Sequence, residues 1–180
     1  MLLKDYLPNI NKKFRNLNFS GLAFNSNKVK KNYIFIAIEG EKFDGNNYIN
    51  DAIKNGAKII ISSKFKDQIK NNIIFLNQKN PRQILSRLSS QIFKKKPQNL
   101  VAVTGTNGKT SIANFYYQIL KENKKKVLSF GTLGITGKRK IENTSNTTFD
   151  PIKIGKNLNY LEKKKIDNVI LEASSHGLKQ

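Results

Sequence analysis

The chain has 180 residues, a formal charge of +21 and no cysteine. That length can hold one domain or two small ones with a real core, the cysteine count excludes disulfide and thiolate chemistry, and no apolar run approaches the roughly 20 residues of a membrane helix. The charge comes from 29 lysines against 4 arginines, scattered in short runs and accompanied by 24 asparagines and 22 isoleucines; this is a signature of A+T-rich codons, whereas phosphate and base recognition recruits the planar fork of arginine.

At the N-terminus, MLLKDYLPNINKKF has no apolar core followed by a small-residue cleavage site, so it does not read as a signal peptide, and the expected compartment is the cytoplasm. FSGLAF and NYIFIAIEG read as strands. NYINDAIKNGA reads as a short helix closed by Gly56. KIIISS and NIIFL are further strands, and PRQILSRLSSQIFKKK is a helix with Pro81 at its start and cations at its end. KKKPQN then marks a boundary, which makes residues 1–97 one unit.

The stretch NLVAVTGTNGKTSIANFYYQIL follows, from Asn99. A strict phosphate-loop pattern, G-x-x-x-x-G-K-[ST], would need glycine at position 103, where the chain has Val103; the available glycine is Gly105. The physical requirements are met nevertheless. LVAV is an apolar run that reads as a buried strand, and TGTNG supplies residues that tolerate tight turns and close approach of the backbone. Lys109 and Thr110 open a helix whose apolar residues Ile112, Phe115, Tyr116, Ile119 and Leu120 recur at helical spacing. Free N–H groups and the positive dipole end of such a helix favour an anion, the lysine reaches the terminal phosphates, and the hydroxyl suits magnesium.

Beyond it come the strand KVLSFG, a polar Gly/Thr/Asn segment at 131–150, the helix DPIKIGKNLNYLEKKK and the strand NVILEASSHG. Alternating strand and helix predicts a parallel sheet. The expected fold is α/β: a small N-terminal α/β domain over 1–97, then residues 98–180 as the first part of a parallel-sheet P-loop ATPase domain. With only three parallel strands, and NVILEA at or near an open edge, this second unit reads as truncated and prone to self-association.

Four stretches combine into a wider pattern: FNSN (24–27) with YIFIAIEGEKFDGNNYINDAIKNGAKIII (33–61); VTGTNGKTS (103–111); GTLGI (131–135) with NTTFDP (146–151); and LEASSHGLKQ (171–180). Together they resemble the Mur ligases of peptidoglycan synthesis, from about residue 20 to the end, and the NTT and EASSH blocks favour the members that add a diamino acid as third residue. The resemblance implies an ATP-dependent carboxylate–amine ligase that phosphorylates the free D-glutamate carboxylate of UDP-MurNAc-L-Ala-D-Glu and lets the amine of a diamino acid displace phosphate. It implies ATP and Mg2+ as cofactors, small molecules as partners, no nucleic acid, no membrane, and a monomer at full length.

The resemblance also implies roles. Gly105, Thr106, Asn107, Gly108, Lys109, Thr110 and Ser111 would cradle the ATP phosphates; Lys109 and Glu172 would be catalytic, and Thr110 and Glu172 would hold the metal. Phe24, Ser26, Glu41, Lys42, Phe43, Asn146, Thr147, Thr148, Ser174 and Gln180 would contact the UDP-MurNAc-peptide. The family motif at Asn25-Ser26-Asn27 usually reads Asp-Ser-Arg, and its TTPD stretch has Phe149 here in place of proline. His176, the single histidine, is left outside the catalytic set. The 180-residue chain alone is expected to be inactive, because the family's carbamylated lysine and the domain that selects the diamino acid lie past residue 180. Two other readings stay open: another Mur-type ligase, either the D-Ala-D-Ala-adding kind or one like folylpolyglutamate synthase, and a basic nucleic-acid-binding protein switched by NTP, whose binding would weaken steeply with salt.

Overall fold

The structure, a computed structural model, describes residues 1–40, 43–131, 134–136 and 150–173. It divides into two compact units, Met1–Gln91 and Ile92–Gln180.

The first unit is built on a five-stranded sheet of β1 (Gly21–Ala23), β2 (Tyr33–Ile36), β3 (Ala57–Ser62), β4 (Gln68–Lys70) and β5 (Ile73–Asn77), in the order β1-β2-β3-β5-β4. All pairs are parallel except β4 with β5. Ile34, Phe35, Ile36, Ile59, Ile60 and Ile61 are all fully buried, which explains why these two strands read as unbroken apolar runs rather than alternating ones. Helix α1 (Ile49–Lys54) packs Ile49 and Ala52 into a cluster with Val29, Phe35, Ala57 and Ile60. Helix α2 (Pro81–Ile92) buries Leu85 and Leu88. It starts at Pro81 as expected but ends at Ile92, so the cations Lys94–Lys96 lie past its last turn rather than within it.

Two features of this unit went unread in the sequence. Residues 1–18, not read as any element, form two short turns that bury Leu3, Leu7, Ile10 and Phe14. Strand β4 joins β5 through Asn71 and Asn72, both at positive φ (49° and 64°) with Lys70 opposite Ile73. This is the two-residue turn whose twist matches antiparallel strands.

Gly56 closes α1 at φ +106°, where an added Cβ would also meet Lys31 Cα at 2.9 Å. Gly56→Ala is therefore expected to destabilise the first unit by ~1–3 kcal/mol, measured as a fall in the denaturant midpoint.

The second unit holds β6 (Asn99–Val103), α3 (Lys109–Glu122), β7 (Val127–Gly131), β8 (Gly134–Thr136), α4 (Pro151–Lys163) and β9 (Asn168–Glu172), with strand order β6-β9-β7-β8. Asp150 caps α4, accepting from Lys153 N at 2.8 Å, and Pro151 takes the first helical position. Leu158 and Leu161 of α4 pack on Leu128, Phe130 and Val169.

Three expectations are corrected here. Among the described residues the sheet has the three expected parallel strands and also a fourth, because Gly134–Thr136 of the polar segment returns as β8, antiparallel to β7. NVILEA is not at an edge: β9 pairs with β6 on one side and β7 on the other, which is where its almost wholly buried residues belong. Among the described strands the edges are β6 and β8, and LVAV is not a buried strand, since Leu100 is 39% exposed and Ala102 is exposed. The apolar spacing of α3 likewise marked a shared face but not the packed one. The helix lies against β7 and β9 through Ala113 and Tyr117, Tyr116 and Leu120 are half-buried, and Ile112, Phe115 and Ile119 are exposed.

Candidate active site

Strand β6 delivers the chain to a loop at the carboxyl end of the second sheet. Val103 lies opposite Glu172 in the β6–β9 register, and Ala173 N donates to Val103 O at 2.9 Å, so the two strand ends are level. Thr104 to Gly108 are exposed. Gly108 stands at φ +75° as the residue before α3, with no atom within 4 Å of an added Cβ; glycine is required there for its backbone and not for space. The first-turn N–H groups of α3 follow directly, and such groups have no partner within their own helix. Lys109 Nζ donates to Gly105 O at 2.7 Å and Thr106 O at 3.2 Å, so its ammonium is held beside the loop.

The sequence-predicted metal pair is brought together. Thr110 Oγ1 donates to Glu172 Oε2 at 2.8 Å across 62 residues of chain, and Glu172 is only 5% exposed. Among the described residues no group of three or more His, Cys, Asp or Glu side chains forms a metal cluster. A hydroxyl and a carboxylate are nevertheless the hard oxygen donors that suit magnesium, which usually keeps water and phosphate oxygens in its remaining positions.

Gly131, the last residue of β7, was not among the predicted site residues. A Cβ there would lie 1.9 Å from Glu172 Oε1 and 2.3 Å from its Cδ. The carboxylate occupies the space that the missing side chain leaves. The signal in the sequence was a glycine ending a predicted strand, at the front of the GTLGI stretch.

In the first unit, Phe24 is half-buried just after β1, and Ser26 is buried at the start of the turn Ser26–Lys28, its carbonyl accepting from Asn55 Nδ2 at 3.0 Å. Phe43 is 72% exposed. Near it Asp44 accepts from Lys64 Nζ at 2.6 Å and from Asn46 N at 2.9 Å. Glu41, Lys42, Asn146, Thr147, Thr148, Ser174, His176 and Gln180 lie outside the described residues.

Residues 18–102 match the Mur ligase family, catalytic domain, and residues 103–180 match the Mur ligase middle domain. The chain belongs to the Mur ligase family. It is 38% identical over 176 residues to a UDP-N-acetylmuramoyl-L-alanyl-D-glutamate--2,6-diaminopimelate ligase of Rickettsia prowazekii, covering 96% of this chain and 36% of that protein. A ligase of the same name from Wigglesworthia glossinidia brevipalpis is 37% identical over 188 residues, covering 99% and 38%. The chain thus spans little more than a third of the length of these curated relatives. A solved structure of a ligase with that name superposes at a TM-score of 0.79 with 27% identity, over 99% of this chain and 37% of that one. A MurF ligase from Thermotoga maritima in complex with ADP superposes at 0.57 with 25% identity, over 86% and 32%.

In this Mur ligase chain the Asn25 side chain is used locally: its Oδ1 accepts from Asn27 N at 2.9 Å. Asp44 differs, because its charge is used. The hydrogen bond from Lys64, with those from Asn46, lowers its pKa from 3.8 to about 2. A depressed carboxylate pKa contributes its stabilisation in full above the ordinary value and loses it as pH falls through the depressed one. The Asp44–Lys64 pair is therefore expected to be intact from neutral pH down to about 4 and to come apart between about 4 and 2, which carbon-detected NMR of the Asp44 carboxyl would follow.

Proposed function

We propose that this chain carries the uridine-nucleotide domain (1–97) and the start of the ATP-binding domain (98–180) of an ATP-dependent ligase. That ligase joins a diamino acid to UDP-MurNAc-L-Ala-D-Glu in peptidoglycan precursor synthesis. The names of the Rickettsia and Wigglesworthia relatives support 2,6-diaminopimelate as the diamino acid. Better superposition on the diaminopimelate-adding ligase than on MurF favours that branch over the D-Ala-D-Ala-adding one. In the reaction the γ-phosphoryl group of ATP passes to the D-glutamate carboxylate, leaving ADP; the amine then attacks the acyl phosphate and phosphate departs.

This chain's own residues would do the positioning that dominates such phosphoryl transfer. The backbone of Gly105–Ser111 and the ammonium of Lys109 receive the β- and γ-phosphates. Thr110 and Glu172 hold Mg2+, which when bound neutralises phosphate charge. Phe24, Ser26, Glu41, Lys42 and Phe43 take the uridine end, and Asn146, Thr147, Thr148, Ser174 and Gln180 the muramoyl-peptide. The setting is the cytoplasm, with small-molecule partners and a monomeric complete enzyme; among the described residues no helix is long and apolar enough to cross a membrane.

The observation that carries this reading is the 2.8 Å contact of Thr110 with the buried Glu172 at the mouth of the Lys109 loop. Calorimetric titration of residues 1–180 with ATP·Mg2+ and, separately, with UDP-MurNAc-L-Ala-D-Glu is expected to show binding of each. Failure of ATP·Mg2+ to bind, or tight salt-sensitive binding of RNA or DNA in its place, would defeat it.

A further inference from the structure

After β2, Phe43 and the described residues beside it are fastened from several sides. Glu39 and Asp44 form an isolated antiparallel bridge, Gly40 N donates to Phe43 O at 2.9 Å, and Gly45 N donates to Ile38 O at 2.9 Å. Gly45 lies so close to the strand exit that a Cβ would meet Ile38 N at 2.7 Å. Asp44 Oδ1 accepts from the side chain of Asn46 at 2.6 Å, and Asn46 Oδ1 in turn accepts from Ser62 Oγ at 2.6 Å. Ser62 Oγ also accepts from Lys64 N at 3.0 Å, and Arg82 Nη2 donates to Glu39 O at 3.2 Å. These contacts tie those residues to the end of β3 and to α2, at the carboxyl ends of parallel strands where open α/β sheets take their ligands.

A singly exposed apolar side chain is ordinary on a protein surface. Phe43 differs because the backbone on which it stands is held at its own carbonyl and at the next residue, while its ring stays in solvent. A rigidly mounted aromatic ring is a platform on which a flat base can stack.

We propose that the Asp44–Lys64 ion pair is a positioning device that holds Phe43 as a stacking platform for the uracil base. This rests on the uridine-nucleotide reading above. Lys64 acts through Asp44 and does not itself bind phosphate: its ammonium already has Asp44 at 2.6 Å and Glu39 at 3.6 Å, so its charge is matched.

The test is calorimetric binding of two probes, uridine and UDP, to residues 1–180 and to five variants: Lys64→Met, Asp44→Asn, Lys64→Arg, Phe43→Ala and the double variant Phe43→Ala/Lys64→Met. Lys64→Met and Asp44→Asn are each expected to weaken both probes by the same factor, about tenfold, because a loosely held platform loses most of its stacking. Lys64→Arg should bind near wild type. In a Phe43→Ala background, Lys64→Met should add nothing, an outcome that a merely structural role would not produce. Circular dichroism and the denaturant midpoint confirm that each variant's first unit is folded. Equal binding by wild type and both charge variants would overturn the proposal. So would a loss confined to UDP, which would make Lys64 a direct phosphate contact. A wild-type chain that binds neither probe would overturn the uridine reading itself, and the proposal with it.

Discussion

Replacing Lys109 with alanine is expected to weaken ATP binding by roughly ten- to hundredfold, since a hydrogen bond to a charged group is worth about 1.5–3 kcal/mol. Two effects act together. The ammonium that would neutralise the β- and γ-phosphates is gone, and so are the bonds at 2.7 and 3.2 Å that hold it to the carbonyls of Gly105 and Thr106. In a complete ligase containing this loop, the same change should abolish ATP-dependent product formation, because positioning and charge neutralisation carry most of the catalysis. Calorimetry on the chain and a product assay by mass on the complete enzyme read the two effects separately. Wild-type ATP affinity in the variant would remove Lys109 from the phosphate site.

Gly131→Ala is expected to do comparable damage from a residue that touches no phosphate in the proposed site. A carbon 1.9 Å from Glu172 Oε1 is not a possible contact, so the carboxylate must move. Glu172 is buried and accepts from Thr110 at 2.8 Å, and its displacement breaks that bond inside a packed strand end. Overpacking of this kind costs about 1–3 kcal/mol, to be seen in chemical denaturation. The sharper readout is magnesium: the metal dependence of ATP binding should flatten in the variant. Adding Glu172→Ala to Gly131→Ala should restore part of the lost stability, since the two side chains compete for one space and their effects are not additive. A fully additive pair would show that the close approach is not what glycine is there for.

Much of the candidate site's geometry was legible because its parts are local. Strand, turn, lysine, hydroxyl and helix follow one another within 99–122, and local order of this kind survives in a single sequence. The pairing of Thr110 with Glu172 spans 62 residues, and there the motifs of a known family supplied what spacing could not. Gly131 escaped because its reason is a neighbouring strand's side chain, visible only once β7 and β9 are in register. Strand β4 escaped because its three residues, Gln68–Lys70, are all exposed and carry no apolar pattern; the two asparagines after it were the available signal. Ile112, Phe115 and Ile119 were placed on a face correctly, but periodicity does not say which face meets the sheet. Ala113 and Tyr117 are the buried residues of α3, and these three apolar side chains were left outside.

The order β6-β9-β7 has a consequence for how the second unit is made. Among the described strands of this unit, the one between β6 and β7 is the last to leave the ribosome. Until residues 168–172 emerge, β6 and β7 have no strand between them to pair with, and α3 has only part of its floor. The register Asn99 to Asn168 closes a loop of nearly the whole unit in one step. Non-local pairing of this kind must meet its loop-closure entropy before any contact rewards it, so the nascent segment is expected to stay open through most of its synthesis and then fold late, with β9 as the keystone. Substitutions in β9 should therefore slow folding, whereas those on the exposed side of α3 should leave its rate unchanged.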